Sequence, residues 1–163
     1  MLTLEYVAGL FDGEGCITVQ RQWYVNTEGT FSYRYPMRAQ ITNTYEPIIV
    51  MLTEQFPYGS HFVDKRNPNY WRKTHVWYAN GANAILFVST LLPHLVIKKK
   101  QVQLAVELDT IIREYNAIVI ASSTTSKNTA RKLLPRGHVI PREEVERREA
   151  IIQQIWELNG GKP

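Results

Sequence analysis

One cysteine, Cys16, stands in 163 residues, so no internal disulfide can form. The four histidines are scattered and give no zinc-like ligand cluster. No apolar run approaches the roughly 18 residues that cross a bilayer. Met1 to Glu5 carries neither the basic start nor the long apolar stretch of a secretory signal. These absences lead to the expectation of a soluble, intracellular chain with no membrane partner. What is present is ordinary for one globular domain: 44% hydrophobic and 21% charged residues leave no room for wholesale disorder. A net charge of +4 permits a nucleic-acid partner without requiring one.

The stretch from Tyr6 to Gly15 is unusual for a helix end. Ala8 and Gly9 sit mid-helix, where glycine costs about 1 kcal/mol relative to alanine. Gly9 and Gly13 share a helix face, which would let another backbone approach closely. Asp12 and Glu14 fall at the negative end of the macrodipole, where acids are disfavoured and a metal would make them tolerable. Spacing alone equally admits a helix with a glycine stop and a solvated acidic turn.

Thr3 is a suitable N-cap, and the first helix is expected from about Leu4 to Asp12. Period-two patterning follows from Cys16 to Tyr24 and from Phe31 to Asn43, with turn chemistry at Asn26 to Gly29, giving a long hairpin. Glu46 and Pro47 start a second helix with Ile48, Met51, Leu52 and Phe56 on its apolar stripe. Ser60 to Arg66 and Tyr70 to Asn80 read as a second hairpin, followed by a short helix that Pro93 ends. Lys98 to Lys100 opens a long helix striped by Leu104, Leu108, Ile111 and Ile118. A Ser/Thr/Lys-rich loop from Ser122 to Gly137 precedes a last helix from about Pro141 to Leu158.

Two antiparallel hairpins with helices on one side leave a four-stranded sheet with one bare face. In the first hairpin that face carries Thr18, Gln20, Gln22, Tyr24, Arg34, Arg38 and Gln40. In the second, His61 and Lys65 share one face, as do Lys73, His75 and Trp77, and these too are assigned to the bare side. Gln, Arg and Lys are the side chains that read base edges, and sheets and ribbons do enter DNA grooves. A merely solvated sheet face favours similar residues; the absence of acids and the interleaved Tyr24 and Trp77 favour nucleic acid.

Val7-Ala-Gly-Leu-Phe-Asp-Gly-Glu-Gly15 closely resembles the LAGLIDADG motif of homing endonucleases, and the helix-hairpin order matches the core of that family. The resemblance covers about residues 4–120 and leaves a C-terminal loop and helix, about 121–163, outside it. It implies an α+β fold, αββαββα, with a four-stranded antiparallel sheet covered by helices on one face, plus C-terminal helices, all in a single domain. One motif per chain implies a homodimer with paired motif helices, placing Ala8, Gly9, Asp12 and Gly13 at the interface. It further implies hydrolysis of both strands of double-stranded DNA with Mg2+ or Mn2+. Glu14 and the Gly13 carbonyl are then the metal ligands, Asp12 is a brace, and Asn43 and Lys98 join Glu14 as catalytic residues. Glu14 stands where the last acid of the motif is Asp, and Thr44 to Pro47 lacks the basic residue found in some relatives. Lys127, Arg131, Lys132 and Arg136 in the C-terminal loop fit either a phosphate clamp outside the sheet's footprint or an ordinary solvated loop. The leading expectation is an intron-encoded, site-specific endonuclease reading a long pseudo-palindromic site, in a prokaryotic cytoplasm or, if organelle-encoded, an organelle interior. The alternatives are an RNA-splicing maturase, with intron RNA as partner, and an inactive DNA-binding protein on the same fold.

Overall fold

The computed structural model describes residues 1–25, 31–64, 73–122 and 139–161. Lys65, Lys132 and the other loop cations Lys127, Arg131 and Arg136 fall outside the described residues, as does the Tyr24 side chain.

Helix α1, Leu4–Glu14, is capped by Thr3, whose hydroxyl accepts from the Tyr6 N–H at 3.2 Å. It runs one half-turn past Asp12 before Gly15 turns the chain directly into strand β1, Gly15–Val19. Only glycine fits that corner, because a Cβ there would overlap the Phe11 ring.

The long first hairpin is broken in the middle. Strand β1 and strand β4, Met37–Asn43, belong to the main sheet, while β2, Gln22–Val25, and β3, Phe31–Arg34, form a separate two-stranded ribbon. The break falls at Tyr35-Pro36, where proline has no N–H for the ladder, although its carbonyl still accepts from the Gln20 N–H at 3.0 Å. After helix α2, Glu46–Gln55, strands β5, Ser60–Asp64, and β6, Thr74–Asn80, complete an antiparallel sheet in the order β1-β4-β6-β5. Helix α3, Ala82–Leu91, a short 3-10 turn over Leu92–His94, helix α4, Lys99–Ser122, and helix α5, Arg142–Leu158, follow.

One face of the sheet is covered. Ile17, Met37, Ala39, Ile41, Trp77 and Ala79 are buried there, in one apolar core with Val7, Ala8 and Phe11 of α1, Leu52 of α2 and Phe87 and Leu91 of α3. Trp77 is the centre of the aromatic packing, 4.4 Å from the Phe87 ring centroid and 6.0 Å from that of Phe56. Gly59 makes room for it, since a Cβ at that position would overlap the indole.

That packing overturns the expected phase of the second hairpin. Ile41 pairs with Trp77, Asn43 with His75, and His61 with Trp77, so His61, His75 and Trp77 point to the covered side, not the bare one. Trp77 is 0% exposed and His75 is buried. The physical reason is that burying an indole outweighs leaving two imidazoles in water. The imidazoles pair instead, with His61 Nε2 and His75 Nδ1 3.2 Å apart and Glu46 Oε1 3.7 Å from His75 Nδ1. Lys73 is exposed just ahead of β6.

Helix α5 packs on α4 and against the outer edge of β1. Its Trp156 Nε1–H donates to the Val19 carbonyl at 2.9 Å, and Asn159 beyond its end donates to the Ile17 carbonyl at 3.0 Å. Arg148, only 2% exposed, lies between the Tyr35 and Tyr115 rings at 5.6 and 5.0 Å and pairs with Glu144 at 2.8 Å. Among the described residues no helix is long and apolar enough to cross a membrane.

Candidate functional site

The end of α1, the start of β1 and the lead into α4 meet at one point. The Asp12 carboxylate, nearly buried, accepts three consecutive backbone N–H groups: Val96 at 2.8 Å, Ile97 at 3.2 Å and Lys98 at 2.8 Å. These amides enter the N-terminus of α4, where a negative charge is favoured. Burial alone would raise the Asp12 pKa, but the three amides and the Lys98 charge together bring it below the ordinary carboxylate value. Lys98 in turn donates its Nζ–H to the Asp12 backbone carbonyl. Asp12 is thus a brace, as the motif resemblance implied.

Beyond that brace Gly13 and Glu14 are exposed. The Gly13 carbonyl belongs to the last turn of α1, where helix carbonyls lack intrahelical partners. Lys98 lies within electrostatic reach of Cys16, on the far side of Glu14 and Gly15 in the chain. Burial pushes the Cys16 thiol upward, and the nearby lysine only partly offsets this. Glu14 and Lys98 therefore share one end of the sheet. Asn43 closes the same end of β4, with Oδ1 accepting from the Tyr45 N–H at 2.8 Å and thereby turning the chain into α2. Its carbonyl oxygen is thus engaged in the turn, leaving the amide nitrogen as the side chain's donor.

Two of the expected interface residues do not lie on a free surface. Ala8 is wholly buried in its own core, and Asp12 spends its carboxylate on residues 96–98. Gly9 and Gly13 do lie open: a Cβ at either would meet nothing within 4 Å. Sequence reasoning missed their neighbours. Val96 and Ile97, whose amides Asp12 holds, are 82% and 72% exposed, and Tyr6 on α1 is 54% exposed. Two adjacent β-branched residues before a lysine triplet were the available signal.

Among the described residues no group of three His, Cys, Asp or Glu side chains lies close enough to hold a metal. At this corner one chain offers one exposed carboxylate and one peptide carbonyl.

The bare face of the sheet carries Thr18, Arg38 and Gln40 as expected; exposed Gln20 follows β1, and the ribbon carries exposed Gln22 and Arg34. Thr42 joins them, and register adds residues not foreseen: Ser60, Phe62, Asp64, Thr74 and Tyr78. One acid, Asp64, does stand on this face, at the β5 end paired with Thr74.

No protein-family model matches the chain, and no curated relative is detected. Its architecture is nevertheless that of the LAGLIDADG homing endonucleases. Among solved structures it is similar to the archaeal intron-encoded homing endonuclease I-Vdi141I complexed with DNA, with a TM-score of 0.65 and 14% identity over 95% of this chain and 82% of that one. It is similar also to I-TnaI, at TM-score 0.59 and 13% identity over 98% of this chain and 95% of that one. I-CvuI in complex with the I-CreI target gives 0.55 and 16% over 93% of each chain.

Proposed function

We propose that the protein is an intron-encoded, site-specific endonuclease that cuts double-stranded DNA as a homodimer with Mg2+ or Mn2+. The observation that carries this reading is the mutual clamp of Asp12 and Lys98. It leaves Glu14 exposed as the last residue of α1, with the Lys98 amine held on the Asp12 carbonyl two residues before it and a polar sheet face leading away. The fold-level neighbours include proteins described as homing endonucleases complexed with DNA, which supports DNA as the substrate.

One carboxylate per chain makes half a metal site, and the bare Gly9/Gly13 surface flanked by Tyr6, Val96 and Ile97 suits the approach of a second copy bringing its own Glu14. The hard oxygen donors Glu14 and Gly13 fit Mg2+, with water completing the shell. A bound divalent ion supplies charge neutralisation at phosphate and a more acidic water. Lys98 offers a cation to developing phosphate charge, and the free Asn43 amide can orient a water. Thr18, Gln20, Gln22, Arg34, Arg38 and Gln40 face the DNA, and the site they read is pseudo-palindromic because the dimer is two-fold symmetric.

The test is cleavage of the intronless allele of the host gene by purified protein. Double-strand cutting that needs Mg2+ and disappears in Glu14→Gln, with binding retained, supports the proposal. Uncut DNA with intact protein sinks the nuclease reading and leaves a maturase or an inactive DNA-binding protein.

A further inference from the structure

Four residues run diagonally across the bare face, one from each strand. Thr18 of β1 pairs with Arg38 of β4, and its hydroxyl donates to the Arg38 carbonyl at 3.4 Å. The Arg38 guanidinium lies 4.1 Å from the ring centroid of Tyr78, a diagonal neighbour on β6. Tyr78 packs edge-on against Phe62 of β5 at 5.6 Å, and Phe62 also approaches the guanidinium at 5.7 Å. At 4.1 Å from a tyrosine ring centroid a guanidinium is held by cation–π attraction.

The same guanidinium lacks acceptors. Its Nε is buried with no hydrogen-bond partner. Among the described residues no oxygen accepts from its terminal nitrogens and no carboxylate pairs with it. Asp64, the acid on this face, sits beside Thr74, at the opposite end of β6 from Asn80, the residue that pairs with Arg38. A planar donor fork on an inner strand, with no acceptor among the described residues, suits an external acceptor with two sites. Under the middle of a sheet lying in a major groove, that acceptor is a base edge; phosphates meet the rim. Guanine O6 and N7 are the pair that matches a guanidinium fork.

We propose that Arg38, held over Tyr78, reads one guanine in each half of the DNA target. This rests on the endonuclease reading above and specifies what the sheet recognises. Thr18, level with Arg38, is three residues along β1 from Gly15, a rise of about 10 Å. Glu14 precedes Gly15 at the start of the strand, so the guanine lies outward from the cut and not at it.

The experiment selects bound sites from a randomised duplex library, with calcium in place of magnesium, using the wild type and the variants Arg38→Ala, Arg38→Lys, Tyr78→Phe and Tyr78→Ala. The wild type is expected to select a guanine at symmetric positions in the two halves. Arg38→Ala and Arg38→Lys both lose that preference, on the order of 10- to 100-fold, with the rest of the site unchanged. Lysine keeps the charge but not the fork, so it decides the matter even where alanine fails to fold. Tyr78→Phe keeps the preference and Tyr78→Ala weakens it at that position alone, which a purely structural tyrosine would not do. A selected site unchanged in Arg38→Lys, with Arg38→Ala weakening every sequence equally, identifies a phosphate contact and overturns the proposal. A wild type that selects no duplex overturns the endonuclease reading together with this one.

Discussion

Asp12 and Lys98 hold each other twice, across 86 residues of chain: the Lys98 amide donates to Asp12 Oδ1 at 2.8 Å, and the Lys98 amine donates to the Asp12 carbonyl. The first contact anchors the start of α4, and the second places a cation at the end of α1. Removing the carboxylate in Asp12→Ala leaves three backbone N–H groups without their acceptor, so a loss of about 3 kcal/mol or more is expected. Urea unfolding measures it; a midpoint equal to wild type would contradict the brace.

The same carboxylate gives a pH dependence of defined sign. Its folded pKa lies below its unfolded value, so its stabilisation is fully present above about pH 4. It is lost as pH falls through the lower folded value. Unfolding free energy should therefore decline below about pH 4, and Asp12→Asn should flatten that part of the curve. Equal slopes in the two proteins would remove the assignment.

Gly9 separates protomer stability from assembly. A side chain there meets nothing within 4 Å in the protomer, and replacing a mid-helix glycine gains up to about 1 kcal/mol. Gly9→Leu should keep its circular dichroism and raise its melting temperature when dilute, yet sediment as a monomer where the wild type is a dimer. A dimeric Gly9→Leu protein would rule out this helix face as the contact.

Arg148, a buried charge, is expected to be among the costly substitutions in the chain. Arg148→Ala leaves Glu144 without its partner, removes the packing between Tyr35 and Tyr115, and should cost about 3–5 kcal/mol. Arg148→Met, which refills the space, should cost clearly less. Denaturant titration of both variants checks the order.

The facing of the first hairpin, though not its break at Tyr35-Pro36, was legible because its apolar residues alternate strictly: Tyr35, Met37, Ala39 and Ile41 go inward, while Arg38 and Gln40 face out. The second was not, because Val76, Trp77 and Tyr78 are consecutive apolar residues and either phase buries some of them. Size decided, and the core took Trp77 with its histidine neighbours. Ala8 and Gly9 illustrate a different limit. Both are small, but neighbours on a helix point about 100° apart, so one enters the core and the other faces outward. Arg148 left no signal beyond an ordinary Glu-Arg pair four residues apart, a pattern that usually marks a solvated helix face. The brace at Asp12 was foreseen through the motif, whereas its partners at Val96 and Ile97 depend on contacts 84 and 85 residues away.

The side chains that α5 and its end lay along β1 also govern growth of the sheet. Strand β1 is an edge of the sheet, and its Ile17 and Val19 carbonyls are occupied by Asn159 and Trp156. A foreign strand finds those acceptors taken. Copies of the chain are thereby steered away from fusing sheet to sheet along this edge, and a truncation before Trp156 would open it to strand-by-strand aggregation.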